Sequence, residues 1–177
     1  MMNMLSSSAI KKVLMAFCLI ALPFMASAQM RFGYFSYDAA LKAMPDYAVA
    51  QRSIDDLRQK YDAELKRAEE DFNSKYEEFL DVQHDLVPAI LRKRQMELQE
   101  MMQKNIAFKD EAQRLLEQAS VDAFAPVKRK LSDAVKRVGQ KQGYAFVLNT
   151  DDNACPYVSP EAGEDASKLI MEELGIK

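Results

Sequence analysis

Residues 46–86 read DYAVAQRSIDDLRQKYDAELKRAEEDFNSKYEEFLDVQHDL, a run without glycine or proline. Within it Ile54, Leu57, Tyr61, Leu65, Ala68, Phe72, Tyr76 and Phe79 recur at steps of three and four, the spacing that collects side chains on one face of a helix. Ile54, Leu65 and Tyr76 are eleven apart, and an eleven-residue repeat of about 3.67 residues per turn predicts an almost straight seam. Leu86-Val87-Pro88 interrupts the pattern. Proline costs about 3 kcal/mol in mid-helix and little at a first turn, so the chain is expected to reverse near residues 85–88. A return helix follows, with Leu98, Met101, Asn105, Phe108, Ala112, Leu115 and Ala119 in heptad spacing and Asn105 as a polar, register-fixing seam position. Past Ala119 the steps become fours, through Ala123, Val127 and Leu131, and Pro126 predicts a kink. Two rods of about 40 residues give a hairpin reaching ~60 Å at ~1.5 Å per residue.

Residues 1–28 carry a basic pair, Lys11-Lys12, an apolar stretch over residues 13–22, and Ala26-Ser27-Ala28 before Gln29. That is the pattern of a cleaved signal peptide, and the apolar stretch is shorter than the ~20 residues of a membrane span. Cleavage near Ala28-Gln29 removes Cys18 and two lysines, moving the net charge from −3 to −5 and leaving Cys155 as the lone thiol. A lone thiol forms no intrachain disulfide, and Cys155 reads as a small buried hydrophobe.

The mature chain opens with Met30-Arg31-Phe32-Gly33-Tyr34-Phe35, read as a strand, and a short helix over residues 37–44 that Pro45 ends. After Gly139 and Gly143 the helical period gives way to strands. Residues 144–148 (YAFVL) form an apolar run expected to be covered on both faces, and residues 155–158 (CPYV) a short edge strand. A terminal helix then places Ala166, Leu169, Ile170 and Leu174 on one face, with Gly175 as its cap. The fold class is α+β, mostly α. Residues 46–138 form the hairpin, and residues 29–45 and 139–177 form a β-rich oligomerisation body with the C-terminal helix. With the adjoining helix ends, residues 29–50 and 130–177, the base has about 70 residues, and a core of that size rarely supplies more than ~3–5 kcal/mol of its own. Closing its open edges against further copies is the expected remedy, through Phe32, Tyr34, Phe146, Leu148, Tyr157 and Val158.

At this point the chain resembles the Skp/OmpH family of periplasmic chaperones. The resemblance lies in Gly33-Tyr34-Phe35, Met44-Pro45-Asp46-Tyr47, the charged hairpin, Ala125-Pro126-Val127, Gly143-Tyr144-Ala145-Phe146-Val147-Leu148 and Pro156-Tyr157-Val158, in that order behind a signal peptide. It implies a homotrimer with a small central barrel and three hairpins around a client cavity. It also implies ATP-independent holding of unfolded outer-membrane β-barrel proteins. The longer link over residues 149–155 and the lone cysteine depart from the family pattern.

For that role the candidate client surface is Phe72, Tyr76, Phe79, Leu80, Met101, Met102 and Phe108. Phe72 and Phe108 read first as hairpin core, Leu80 and Met102 first as surface. Adaptable apolar groups suit many partners better than a shaped pocket does. Arg92, Lys93 and Arg94 make a basic patch past the tip. It could meet acidic clients, anionic lipid or lipopolysaccharide, or balance the nine acids among residues 61–85 across the hairpin together with Lys104 and Lys109. A second basic cluster, Lys128, Arg129, Lys130, Lys136, Arg137 and Lys141, lies near the base. One His, no phosphate-binding glycine loop and no triad leave no basis for an enzyme, a metal, a cofactor or a nucleic-acid partner. The alternative reading is a non-catalytic periplasmic coiled-coil adaptor or tether of the cell envelope.

Overall fold

The computed structural model describes residues 30–176; the expected signal peptide and its junction lie outside the described residues. The elements run β1 (Phe32–Phe35), α1 (Tyr37–Ala43), α2 (Pro45–Val82), α3 (Pro88–Gln142), β2 (Val147–Asn149), a 3-10 turn (Asp151–Asn153), β3 (Gly163–Asp165) and α4 (Ser167–Glu173). Two long antiparallel helices thus project from a small strand-bearing body, an α+β fold that is mostly α.

The same local grammar starts both rods. Met44 and Val87 each precede a proline and are held in extended backbone, with ψ of 130° and 150°, as steric conflict with the proline ring requires. Pro45 and Pro88 then occupy the first helical turn, where a missing N–H costs nothing. The outgoing helix has 38 residues, or about 57 Å. The return helix is longer than expected at 55 residues and continues through Pro126 and Gly139 to Gln142. It stops at Gly143, whose φ of +68° is the left-handed C-terminal cap. Gly139 therefore lies inside a helix and does not mark its end.

Most of the buried core sits in the body and at the hairpin's base. Phe35, Leu41 and Met44 meet Val127, Leu131 and Val138 of α3 and Ala166 and Ile170 beside and on α4. Met44, Leu131 and Ile170 are fully buried, and a side chain of that size contributes ~1.5–3 kcal/mol on burial. Farther out only Ile54, Phe79 and Ala112 are buried, and the rest of the seam is partly open. Leu115, placed on the seam by the heptad reading, is exposed, and Leu116 faces inward instead. The change to steps of four therefore begins at Ala112, because a helix of 3.6 residues per turn drifts by ~20° per heptad from a strict 3.5 repeat.

The sheet is three-stranded and wholly parallel, in the order β2-β1-β3. Gly33 pairs with Val147 on one side and Glu164 on the other. Two strand expectations need correction. The apolar run at residues 144–148 becomes strand only from Val147, and ahead of it the Tyr144 ring packs over Gly33. A Cβ on Gly33 would stand 2.9 Å from that ring. Phe146 is exposed and Val147 and Leu148 are only half-buried, so the run is not covered on both faces. Residues 155–158 are not a strand; the third strand is Gly163–Asp165. Val158 and the Phe32 ring lie where a Cβ on Gly163 would sit, at 2.4 and 2.8 Å. Cys155 is half-buried rather than buried, its thiol donating to the Tyr157 carbonyl at 3.5 Å.

At the end of β2 and the start of the turn, Asn149 and Asp151 cap α1. The Ser36 hydroxyl donates to Asp151 Oδ1 at 2.6 Å and accepts from the Ala39 N–H at 3.1 Å. Asp151 Oδ2 accepts from the Asp38 N–H at 2.8 Å, and Asn149 Oδ1 accepts from the Tyr37 N–H at 3.1 Å. This network satisfies the open N–H groups of the helix start and ties the body's two sequence-distant halves together.

Candidate functional site

Along the middle of the hairpin the register is pinned by one polar contact. Asn105 Nδ2 donates to the Ala68 carbonyl at 3.0 Å across the seam. Around it the rods pack through aromatic groups, Phe108 against Tyr61 edge-on at 6.4 Å and, at the base, Tyr47 against Phe124 at 5.1 Å. Phe72 is half-buried and stacks on Tyr76 at 6.0 Å, with the rings 9° from parallel.

Beside this seam lies an exposed apolar flank. Tyr76, Leu80, Met102 and Ile106 expose 44%, 40%, 47% and 55% of their surface. Tyr76 and Leu80 are four apart on α2, and Met102 and Ile106 four apart on α3, so each pair is stacked along its helix. Of the seven candidate residues, Tyr76, Leu80 and Met102 are open to solvent, whereas Phe72, Met101 and Phe108 are half-buried. Phe79 is 9% exposed and belongs to the hairpin core, so it supports the flank from beneath. Ile106 was missed by sequence reasoning, although its position four residues after Met102 carries the signal.

The other flank of the seam holds a groove of about 430 Å³ near the tip. Phe79, Val82, Leu86, Ile90, Leu98 and Met101 give it an apolar floor.

The charges are arranged differently from the cross-hairpin expectation. Lys93 and Arg94 both pair with Glu97, at 3.6 and 3.3 Å, and Lys104 pairs with Glu100 at 2.7 Å. These are contacts along one helix, three or four residues apart, where side chains meet without spanning the seam. The Lys104 ammonium holds the Glu100 carboxyl below its usual range, and Arg114 does the same for Glu111. Among the described residues, Arg92 and Lys109 make no ion pair.

At the base, half of the second basic cluster is engaged in structural pairs. Lys130 bridges to Asp46 at 2.6 Å, and Arg137 and Lys141 converge on Glu173 at 2.6 and 2.5 Å. Hydrogen bonds from Lys141 and then Arg137 hold the Glu173 carboxyl below its usual range, so α4 is clamped to α3 by charge as well as by Ile170. The Ser36 and Asp38 contacts depress the Asp151 carboxyl in the same way. Burial, with the Glu164 carboxylate nearby, pushes the Tyr144 hydroxyl up to about 12, and that hydroxyl finds no well-formed partner.

The residues read as an oligomerisation surface gather at the sheet. Phe32 stacks on Phe146 at 5.2 Å. Tyr34 and Leu148 are half-buried on neighbouring strands, paired in register. Tyr157 is 77% exposed and Val158 is folded over Gly163, both in loop rather than strand. The outer edges of β2 and β3 pair with no further strand among the described residues. No cluster of three or more His, Cys, Asp or Glu suited to a metal occurs among the described residues, and no described helix is long and apolar enough to cross a membrane.

The family model for outer membrane protein (OmpH-like) matches residues 31–174. The chaperone protein Skp of Vibrio cholerae serotype O1 is 28% identical over 165 residues, covering 91% of this chain and 93% of that protein.

Proposed function

This chain belongs to the OmpH-like outer membrane protein family, and on that premise we propose that it is an ATP-independent periplasmic holdase for unfolded outer-membrane β-barrel proteins. The relative named as a chaperone supports the general role. The observation that carries the specific one is the apolar flank of Tyr76, Leu80, Met102 and Ile106, displayed on helices far from the core that folds the chain. A monomeric protein gains nothing in stability from such a flank, and contiguous exposed apolar groups mark interaction surfaces. Methionine and aliphatic groups on a partly open seam adapt to many sequences, and the surrounding charges keep the rods in solution.

The working unit in this proposal is a homotrimer. The free edges of β2 and β3 pair between copies through the cluster around Phe32, Phe146 and Tyr157, which removes the aggregation hazard of open strands. Residues 1–28 direct export and are removed near Ala28-Gln29. The hairpins enclose the client, and the Arg92, Lys93 and Arg94 patch, of which Arg92 is free of ion pairs among the described residues, contacts anionic lipid. Holding is a binding equilibrium in which no bond is made or broken, and the chain is not an enzyme. Diluting a urea-denatured outer-membrane β-barrel protein into buffer with the mature chain tests the proposal by light scattering. Near-stoichiometric suppression of scattering is expected; scattering equal to that without the chain would refute it.

A further inference from the structure

The groove near the tip lies on the flank of the seam opposite Tyr76, Leu80, Met102 and Ile106. Lys75 and Val82 on α2, and Ile90 and Lys104 on α3, line it, and by helical phase none of them shares a face with the four exposed residues. Phe79 is the last well-buried seam residue before the tip; beyond it Val82 and Ile90 are exposed, leaving the groove's apolar floor open. We propose that this groove is a second client subsite, seating the alternate apolar side chains of an extended, uncharged segment such as an unfolded transmembrane β-strand. The inference rests on the holdase reading and adds to it a preferred pattern in the client.

Three observations set that pattern. The lining of α3 runs from Ile90 to Lys104, fourteen positions or about 21 Å of helix. An extended chain advances ~3.3 Å per residue with side chains alternating, so about six residues lie along the groove and three side chains enter it. The rim charges on α3 are mutually satisfied, Arg94 with Glu97 at 3.3 Å and Lys104 with Glu100 at 2.7 Å, and on α2 Lys75 stands beside Glu78. A rim without net charge favours a segment without net charge, because a charged one would have to break these pairs or be desolvated unpaired. The floor carries only apolar side chains, so it reads size and spacing rather than hydrogen-bonding sequence. Alternating apolar and polar residues are the pattern of a barrel strand.

The test uses the mature full chain and two fluorescein-labelled peptides about ten residues long, the length of a membrane strand. One alternates Leu or Tyr with Thr or Ser; the other has the same composition with its apolar residues in one block. Fluorescence anisotropy should show tighter binding of the alternating peptide. Val82→Lys with Ile90→Lys should weaken it about tenfold, or about 1.4 kcal/mol, and remove the preference. Leu80→Lys with Met102→Lys should keep the preference while impairing suppression of client aggregation. Both groove positions are exposed, so helical circular dichroism should be unchanged, and Val82→Asn with Ile90→Asn provides an uncharged second pair expected to lose the preference as well. Equal binding of the two peptides by a wild-type chain that still suppresses aggregation would overturn the groove alone. So would an unaltered preference in folded groove variants. A wild-type chain that neither discriminates nor suppresses would overturn the holdase reading along with it.

Discussion

Replacing Asn105 with leucine should separate two properties that a seam residue usually couples, the stability of the hairpin and the uniqueness of its register. The Asn105 amide donates one bond, at 3.0 Å, to the Ala68 carbonyl. That carbonyl lies inside α2 and keeps its own helical bond, so losing the amide orphans no acceptor and costs only ~1 kcal/mol. A half-buried leucine returns about 1 kcal/mol, half of the ~1.5–3 kcal/mol for full burial. The net change is within about 1 kcal/mol of zero. Register is another matter, since beyond the exposed Lys130–Asp46 pair at the base the remaining seam contacts are apolar and admit a slide by one helical turn, about 5.4 Å. Spin labels on cysteines at the exposed positions Ser74 and Gln118, well apart along the rods so that an axial slide changes their separation, in a Cys155→Ser background, read that slide by pulsed dipolar spectroscopy. The wild-type chain should give one distance and Asn105→Leu a second population displaced by about 5 Å. A single unchanged distance together with a loss of more than about 2 kcal/mol would mean that Asn105 supplies stability rather than register.

Three further outcomes follow from the body. Gly163→Ala places a methyl 2.4 Å from Val158 and 2.8 Å from the Phe32 ring, and overpacking of this kind should cost ~1–3 kcal/mol in urea unfolding at fixed protein concentration. Leu131→Ala empties a fully buried position and should cost ~2–5 kcal/mol in the same assay. Asp151→Asn removes a carboxylate whose folded pKa is depressed, first by the Ser36 hydroxyl and then by the Asp38 N–H. A depressed carboxyl stabilises when ionised, so its contribution is complete above the ordinary aspartate value and is lost as pH falls through the lower folded one. The variant should therefore unfold at lower urea than wild type at pH near 7, and the gap should close as pH drops below the ordinary aspartate range. A gap independent of pH would show that geometry rather than charge holds the node.

The hairpin was legible because its signals are local. Apolar steps of three and four need no knowledge of a partner, and Pro45 and Pro88 announce helix starts by steric necessity. The phase of the return seam was less so: Leu115 and Leu116 are adjacent leucines, and only accumulated drift from the base decides which one faces inward. The body was harder still. Gly163-Glu164-Asp165 has no apolar alternation and is strand only because β1 offers it a free edge, whereas Pro156-Tyr157-Val158 has strand-like residues that are used to cover Gly163 and to face solvent. The Tyr144 ring is committed to the space left by Gly33, a contact between positions far apart in sequence. The acids of residues 61–85 and the bases past the tip suggest a cross-hairpin ladder, but Lys93, Arg94 and Lys104 reach glutamates on their own helix at less entropic cost. Leu80 and Met102 were readable as surface because a two-helix seam has no room for them; Ile106 needed the actual phase of α3.

Client retention by the charged double variant Leu80→Glu with Met102→Glu decides whether the apolar flank is the holding surface. Light scattering with a denatured outer-membrane β-barrel protein would be read beside sedimentation of the variant alone. The assembly and helical content should match wild type while suppression of aggregation falls sharply. Full suppression by the correctly assembled variant would contradict the claim that this apolar flank holds the client.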